Sequence, residues 1–165
     1  MKKLLFLAIF FCLPKMISAQ ETEITKIILV RHAEKAEDGT KNPPLSENGR
    51  QRAQKLVDFL AFEKIDAIYA TPYLRTRQTV EPLSKDKNVD IVEYLPGKSE
   101  ETTRELLKNV GKTTVVVGHS NTIPLLVNTL IGEEKYIQLP EEEFGKIWIL
   151  IFDNHQLIDC SVYTY

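Results

Sequence analysis

From about Lys26 onward the apolar residues recur in two alternating rhythms: short runs rich in β-branched side chains, and longer stretches with apolar positions three and four apart. Ile27–Val30 predicts a strand of the kind buried on both faces of a parallel sheet, Thr114–Val117 a second valine-rich strand, and Ile65–Ala70 and Val89–Tyr94, broken by Asp66, Asp90 and Glu93, two more. Between them, Ala53, Leu56, Val57, Leu60 and Ala61 mark one buried helix face, with Ser46 as the N-cap. A second helix is predicted from about Tyr73 to Leu83, interrupted late by Pro82. Ser99 caps a third, whose first turn carries Glu100 and Glu101, whose inward residues are Thr103, Leu106, Leu107 and Val110, and which Gly111 ends. Ile123, Leu126, Val127, Leu130 and Ile131 line a fourth, with Pro124 in its first turn and Gly132 as C-cap. Ile147–Ile151 and Leu157–Tyr163, joined by Asp153-Asn154-His155-Gln156, predict a closing β-hairpin, and the acidic stretch Glu133–Glu143 a surface connection. Alternating strands and helices make this an α/β chain.

The first residues follow neither rhythm. Lys2-Lys3, the apolar run Leu4–Leu13, the break at Pro14 and Ile17-Ser18-Ala19 with its small residues at the end predict a secretory signal peptide over residues 1–19, cleaved before Gln20. The run is too short to span a membrane. Residues 20–165 then form a single domain, a size that sustains one substantial core. Cleavage removes three of the 21 basic side chains and none of the 23 acidic ones, taking the formal charge from −2 to −5. That balance argues against a nucleic-acid partner, which calls for a basic face. Cys160 is the one cysteine after residue 19, so the domain has no internal disulfide. No cysteine cluster or His-x-x-x-His spacing points to a metal, and neither cofactor nor metal is expected.

Chemistry gathers where the strands end. Ile27–Val30 runs directly into Arg31-His32-Ala33-Glu34, and Thr114–Val117 into Gly118-His119-Ser120-Asn121, so two of the three histidines stand at strand ends. The strand at Ile65–Ala70 leads into Thr71-Pro72-Tyr73-Leu74-Arg75, which sets Arg75 in the first turns of a helix. Ligands of such sheets bind beyond the carboxyl ends of the strands. His32, His119, Arg31 and Arg75 are therefore expected to meet in one crevice, bordered by the polar loop Glu34–Leu45 with its Pro43-Pro44 pair. Planar guanidinium donors match phosphate oxygens, and backbone N–H groups around Ser120-Asn121 add to anion binding. Arg77, two positions from Arg75, points elsewhere and reads as a solvated or salt-bridged side chain. His155, in the hairpin turn, reads as an ordinary surface residue.

The ordered motifs Arg31-His32-Ala33-Glu34, Thr71-Pro72-Tyr73-Leu74-Arg75-Thr76-Arg77-Gln78-Thr79 and Gly118-His119-Ser120 resemble the three signatures of the histidine phosphatase superfamily, the phosphoglycerate mutase-like fold. The length, and the stretch Asn42–Ala53, resemble the small branch typified by bacterial phosphohistidine phosphatases. Ala33 stands where that family usually has glycine and Thr71 where serine is common; neither change removes a catalytic side chain. The resemblance implies a three-layer α/β/α sandwich with a mostly parallel central sheet and a C-terminal β-hairpin. It implies an exported phosphatase acting on phosphomonoesters or phosphoramidates, with His32 as nucleophile carrying the phosphoryl group covalently. Arg31, Arg75 and His119 hold the phosphoryl oxygens. Glu93, in Glu93-Tyr94-Leu95-Pro96-Gly97, matches the spacing of the family's proton donor; Glu34 is a rival, and the absence of any dedicated acid is a third possibility. The substrate is a phosphorylated small molecule or phosphoprotein, no membrane is expected for the mature form, and the oligomeric state is left open. The alternatives are a phosphoglycerate mutase-like phosphotransferase and a non-catalytic module that binds phosphorylated ligands.

Overall fold

The computed structural model describes residues 23–165; the leader expected at residues 1–19 lies outside the described residues. Strands β1 (Ile24–Arg31), β2 (Ala67–Ala70), β3 (Ile91–Glu93), β4 (Thr113–Gly118), β5 (Lys146–Asp153) and β6 (Gln156–Thr164) form one sheet in the order β3-β2-β4-β1-β5-β6. The pairings from β3 to β1 are parallel, and β5 and β6 join antiparallel as the closing hairpin. Helices α1 (Glu47–Phe59), α2 (Leu74–Lys87), α3 (Ser99–Leu106) and α4 (Thr122–Ile131) connect the strands.

The four apolar residues of β1 explain its central place. Ile28 and Val30 pack with Leu56, Val57, Val80 and Leu83 of α1 and α2 on one face of the sheet. Ile27 and Leu29 pack with Leu106, Ile123, Leu126, Val127 and Leu130 of α3 and α4 on the other. All four are fully buried, and at roughly 1.5–3 kcal/mol for each such side chain they anchor the strand from both sides. The result is the three-layer sandwich. α1 leaves β1 over one face while α4 leaves β4 over the other, so the adjacent carboxyl ends of β1 and β4 open between diverging connections. This is the topological position at which doubly wound sheets hold their ligands.

Several local readings are corrected. α2 runs through Pro82 to Lys87 and ends at Asn88 in the left-handed conformation, φ 54°; Pro82 removes one intrahelical hydrogen bond, while the fully buried Val80 and Leu83 on either side keep the helix on the sheet. Ser99 is the first residue of α3 and Lys98 its N-cap. α3 stops at Leu106, so Leu107 and Val110 fall in the turns after it, and Thr102 joins Thr103 and Leu106 as its buried residues. Ala61 is exposed because the chain has left α1 by Leu60. The Glu133–Glu143 stretch is more than a surface connection: Leu139 is buried, and its N–H donates to the Ser120 carbonyl at 3.0 Å beside the start of α4. In the hairpin, Asn154 and His155 both have positive φ, 46° and 68°, as a two-residue type I′ turn requires. His155 is exposed there. Among the described residues, no helix is long and apolar enough to cross a membrane.

The loop after β1 is pressed onto the start of α1. The Ser46 amide donates to the Glu34 carbonyl at 2.9 Å, and the Ser46 side chain accepts from the Gly49 amide at 3.1 Å. A Cβ at Gly49 would lie 2.1 Å from the Glu34 carbonyl oxygen. Gly49→Ala is therefore expected to force the helix off the loop and to destabilise the protein by about 2 kcal/mol or more. Loss of the cap in Ser46→Ala costs about 1 kcal/mol. Urea unfolding of the two variants checks the order, and a Gly49→Ala protein as stable as the wild type would refute the packing account.

Candidate active site

Three neighbouring strand ends build the site. Arg31 closes β1 opposite Gly118, the last residue of β4. The His32 amide donates to the Gly118 carbonyl at 2.9 Å, continuing the ladder by one rung and fixing where the imidazole leaves the backbone. His119 follows Gly118, and the two rings meet edge to face with centroids 5.4 Å apart. β2, on the other side of β4, delivers Thr71 and then Arg75 in the first turn of α2. His32, His119, Arg31 and Arg75 are thus brought together as the sequence predicts.

Hydrogen bonds fix the state of each imidazole. His32 Nδ1 lies 2.8 Å from the Ala33 carbonyl oxygen, which can only accept, so Nδ1 carries the hydrogen and Nε2 keeps its lone pair. His32 is 5% exposed. Burial lowers its pKa to about 3; the Ala33 carbonyl opposes that shift, and the charges of His119, Arg75 and Arg31 add to it. His119 Nε2 lies 2.9 Å from Thr71 Oγ1, which donates to Thr76 Oγ1 at 3.0 Å, which in turn donates to the Thr71 carbonyl at 2.7 Å. The direction of that chain makes Nε2–H the donor and leaves His119 Nδ1 unprotonated, 3.5 Å from Arg75 Nη2. Burial first, then the charges of Arg75 and Arg31, lower the His119 pKa to about 4. Both rings are neutral near pH 7.

The guanidiniums are held from behind. Arg31 is almost wholly buried, with Nη1 donating to the carbonyls of Pro140 and Glu143 at 2.7 and 2.8 Å and Nη2 reaching Glu141 Oε2 at 3.3 Å. Its plane lies 4.2 Å from the ring centroid of Phe144, and its Nε is buried with no hydrogen-bond partner. Burial pulls its pKa down, and the carboxylates of Glu141, Glu143 and Glu142 oppose the pull. Arg75 lies over the ring of Tyr73 at 4.5 Å. Thr79 ties the two halves together, its hydroxyl donating to the Arg75 carbonyl at 2.6 Å and accepting from the Ala33 amide at 2.9 Å. Unspent donors on two guanidiniums beside two neutral imidazoles suit a tetrahedral oxyanion. The amino end of α4, which starts at Thr122 just after Ser120-Asn121, adds its positive dipole end.

Neither carboxylate singled out in the sequence joins this group. Glu93 ends β3 in register with Ala70, which is in register with Val117, so two strand spacings of about 4.8 Å separate it from β4. It is exposed and ion-paired to Arg77, which accounts for Arg77 as a salt-bridged side chain. Glu34 takes three hydrogen bonds from Arg52, at 2.7, 2.9 and 3.0 Å. Burial opposes its ionisation, but the Arg52 bonds and charge outweigh that and hold its carboxyl below the usual range. Sequence reasoning missed Thr76 and Thr79, which read as ordinary helix polars, and the 140–144 loop. Phe144, a lone aromatic after three glutamates, was the signal available for that loop.

The sequence model of the histidine phosphatase superfamily, branch 1, matches residues 27–97, a span that holds Arg31, His32, Arg75 and Glu93 and stops short of His119. Phosphoserine phosphatase 1 of Hydrogenobacter thermophilus is 36% identical over 75 residues, covering 42% of this chain and 36% of that protein; the match thus spans about a third of the relative's length. Among solved structures, the protein histidine phosphatase SixA complexed with tungstate superposes with a TM-score of 0.68 at 19% identity, covering 84% of this chain and 96% of the other. Phosphoserine phosphatase from Entamoeba histolytica in complex with 3-phosphoglyceric acid superposes with a TM-score of 0.66 at 21% identity, covering 86% and 97%. At these identities the structures speak for the fold, and the sequence match for the motif at the ends of β1 and β2. Over residues 27–97 the chain is similar in motif, and over most of the described chain similar in fold, to the histidine phosphatase superfamily.

Proposed function

We propose that this chain is an exported phosphatase that hydrolyses phosphomonoesters or phosphoramidates through a covalent phosphohistidine on His32. The observation that carries the reading is the Nδ1–H bond of His32 to the Ala33 carbonyl. It leaves a neutral Nε2 lone pair in a crevice that holds two arginines and a second histidine, the combination a displacement at phosphorus requires. Arg31 and Arg75 neutralise the equatorial oxygens. An arriving phosphoryl dianion raises the His119 pKa, so Nδ1 takes up a proton and turns from acceptor to donor, while Nε2–H stays on Thr71. Positive charge thereby increases only when the anion is there to be stabilised. The substrate is a phosphorylated small molecule or a phosphoprotein; the proteins named above are, by their names, phosphoserine phosphatases and a protein histidine phosphatase. A mutase would use the same pocket and the same nucleophile, and a non-catalytic module the pocket alone; net release of inorganic phosphate distinguishes the phosphatase from both.

Metal independence and export belong to the same proposal. Among the described residues, no group of three His, Cys, Asp or Glu side chains is arranged to hold a metal ion. The leader pattern of residues 1–19 supports export to the periplasm or medium.

His32→Ala is expected to abolish turnover of p-nitrophenyl phosphate with the fold intact by circular dichroism, and labelled phosphate should be trapped on His32 under alkaline quench. Arg31→Ala, Arg75→Ala and His119→Ala should each lower the rate by about 10²–10³, and EDTA should change nothing. A fully active His32→Ala protein would end the covalent mechanism, and EDTA loss restored by Zn²⁺ would end the metal-free one. Mass spectrometry of the exported protein should show Gln20 as its first residue; an intact Met1 would refute the cleavage.

Neutral buried histidines also set a stability profile. The folded pKa values, about 3 and about 4, lie below the unfolded value of 6.5. Stability is therefore complete above pH 6.5 and is lost as pH falls from there toward 4, because the unfolded chain takes up protons that the folded one refuses. At pH 5 the pair should cost on the order of 3 kcal/mol. Urea unfolding at pH 7 and pH 5 measures it. The double variant His32→Gln/His119→Gln should have a flatter profile, and an unchanged slope would show that the site histidines are not its cause.

A further inference from the structure

We propose that Thr79 is a positioning residue of the reaction, setting the nucleophile His32 against the anion-binding Arg75 and holding the imidazole in its reactive tautomer. This rests on the phosphatase reading above. A threonine inside a helix commonly donates to the carbonyl four residues back, and Thr79 does so, to Arg75 at 2.6 Å. What sets it apart is the use of its lone pair. The same oxygen accepts from the Ala33 amide at 2.9 Å, across 46 residues of sequence, and both residues are fully buried. One hydroxyl therefore joins the residue after the nucleophile to the residue that binds the anion.

The path from Thr79 to the imidazole is short. The chain leaving β1 is held by three bonds in succession: the His32 amide to the Gly118 carbonyl, the Ala33 amide to Thr79, and the Glu34 carbonyl to the Ser46 amide. The middle bond alone uses a side chain. Between the Cα of His32 and the Ala33 carbonyl that accepts from Nδ1 lie the torsions on either side of the peptide whose N–H Thr79 holds. Without the hydroxyl that N–H is a buried donor with no partner, and the peptide turns to find one. The Ala33 carbonyl is then drawn away from Nδ1. His32 loses the acceptor that keeps its hydrogen there, and the ring relaxes toward the Nε2–H form that imidazole side chains favour in water, in which the attacking nitrogen has no free pair. Arg75 depends less on this bond. Val80 and Leu83, both fully buried, keep α2 on the sheet, and the guanidinium stays over the Tyr73 ring. Removing the hydroxyl thus spares anion binding and impairs attack.

The test compares Thr79→Val, which keeps the shape and drops the hydroxyl, with Thr79→Ser, which keeps the hydroxyl. On p-nitrophenyl phosphate, Thr79→Val should lose at least about tenfold in kcat, while inhibition by inorganic phosphate stays within about threefold of wild type. Thr79→Ser should recover most of the rate. Long-range proton–nitrogen NMR spectra of the imidazoles read the tautomer directly: His32 should carry its hydrogen on Nδ1 in the wild type and in Thr79→Ser, and shift it toward Nε2 in Thr79→Val. Gln78→Ala is the control, because Gln78 Oε1 accepts from the Leu45 amide at 2.7 Å at the far end of the same loop. Its loss loosens the loop without freeing the Ala33 amide, so the His32 tautomer should stay as in the wild type. A Thr79→Val protein that keeps the wild-type kcat or the wild-type tautomer, one that loses phosphate inhibition in step with kcat, or a Gln78→Ala protein with the same tautomer shift would overturn the assignment. Should Thr79→Val not fold, Thr79→Ala takes its place, and the wild type alone still decides: a His32 hydrogen on Nε2, or an Ala33 amide that exchanges with solvent as fast as an exposed one, overturns it. Turnover that survives His32→Ala removes the phosphatase reading instead and leaves the tautomer result standing.

Discussion

The hydrogen bond from the His32 amide to the Gly118 carbonyl is the constraint on which the rest of the site depends. It is the last rung of the β1–β4 ladder, and it sets two imidazoles from distant parts of the sequence at one height above the sheet. Side chains alternate between faces along a strand, so a slip of one residue would turn the whole set over. That slip is prevented far from the site: Ile27 and Leu29 on one face, and Ile28 and Val30 on the other, are all fully buried, and moving any of them would exchange one packed layer for the other. The core of this protein determines a distance between two histidines.

Concentrating cationic groups in a desolvated crevice carries an electrostatic cost, and the structure limits it in two ways. The imidazoles stay neutral, each with its tautomer chosen by its acceptor, the Ala33 carbonyl for one and, for the other, the Thr71 hydroxyl, whose own hydrogen is spent on Thr76. The most buried guanidinium is held by two backbone carbonyls and by one solvent-facing carboxylate at its edge, with the charges of Glu142 and Glu143 nearby. A buried salt bridge with a fixed carboxylate would have neutralised Arg31 more fully and blunted its attraction for an anion. Partial compensation keeps the crevice hungry for negative charge.

How much of this was readable beforehand followed physical range. The strands, helix faces, Ser46 cap, Gly132 cap and hairpin turn are local, and their signals lie within a few residues of where they act. The meeting of His32, His119, Arg31 and Arg75 was also legible, because burial on both faces placed the strands and the strand ends placed the side chains. What escaped was set by long-range pairing. Nothing near Glu93 foretells that Arg77 will hold it at β3, nor anything near Glu34 that Arg52 will. The acidic run before Phe144 looked like solvated surface because charge is normally outside; its contribution comes from main-chain carbonyls, which carry no sequence signature. Ser99 read as a cap because its residue type fits, while the turn at Pro96-Gly97 delivers the chain one residue earlier.

That last kind of contact has an evolutionary consequence. Arg31 is gripped by the carbonyl oxygens of Pro140 and Glu143, and a carbonyl is present whatever side chain accompanies it. Mutation can therefore exchange the side chains at 142 and 143 without removing a hydrogen bond to the arginine they surround. One short segment thus separates aim from preference: its main chain keeps the anion receptor in place, while its side chains stay available to be rewritten for new substrates. A lineage can explore such substitutions singly, with the receptor intact at every step.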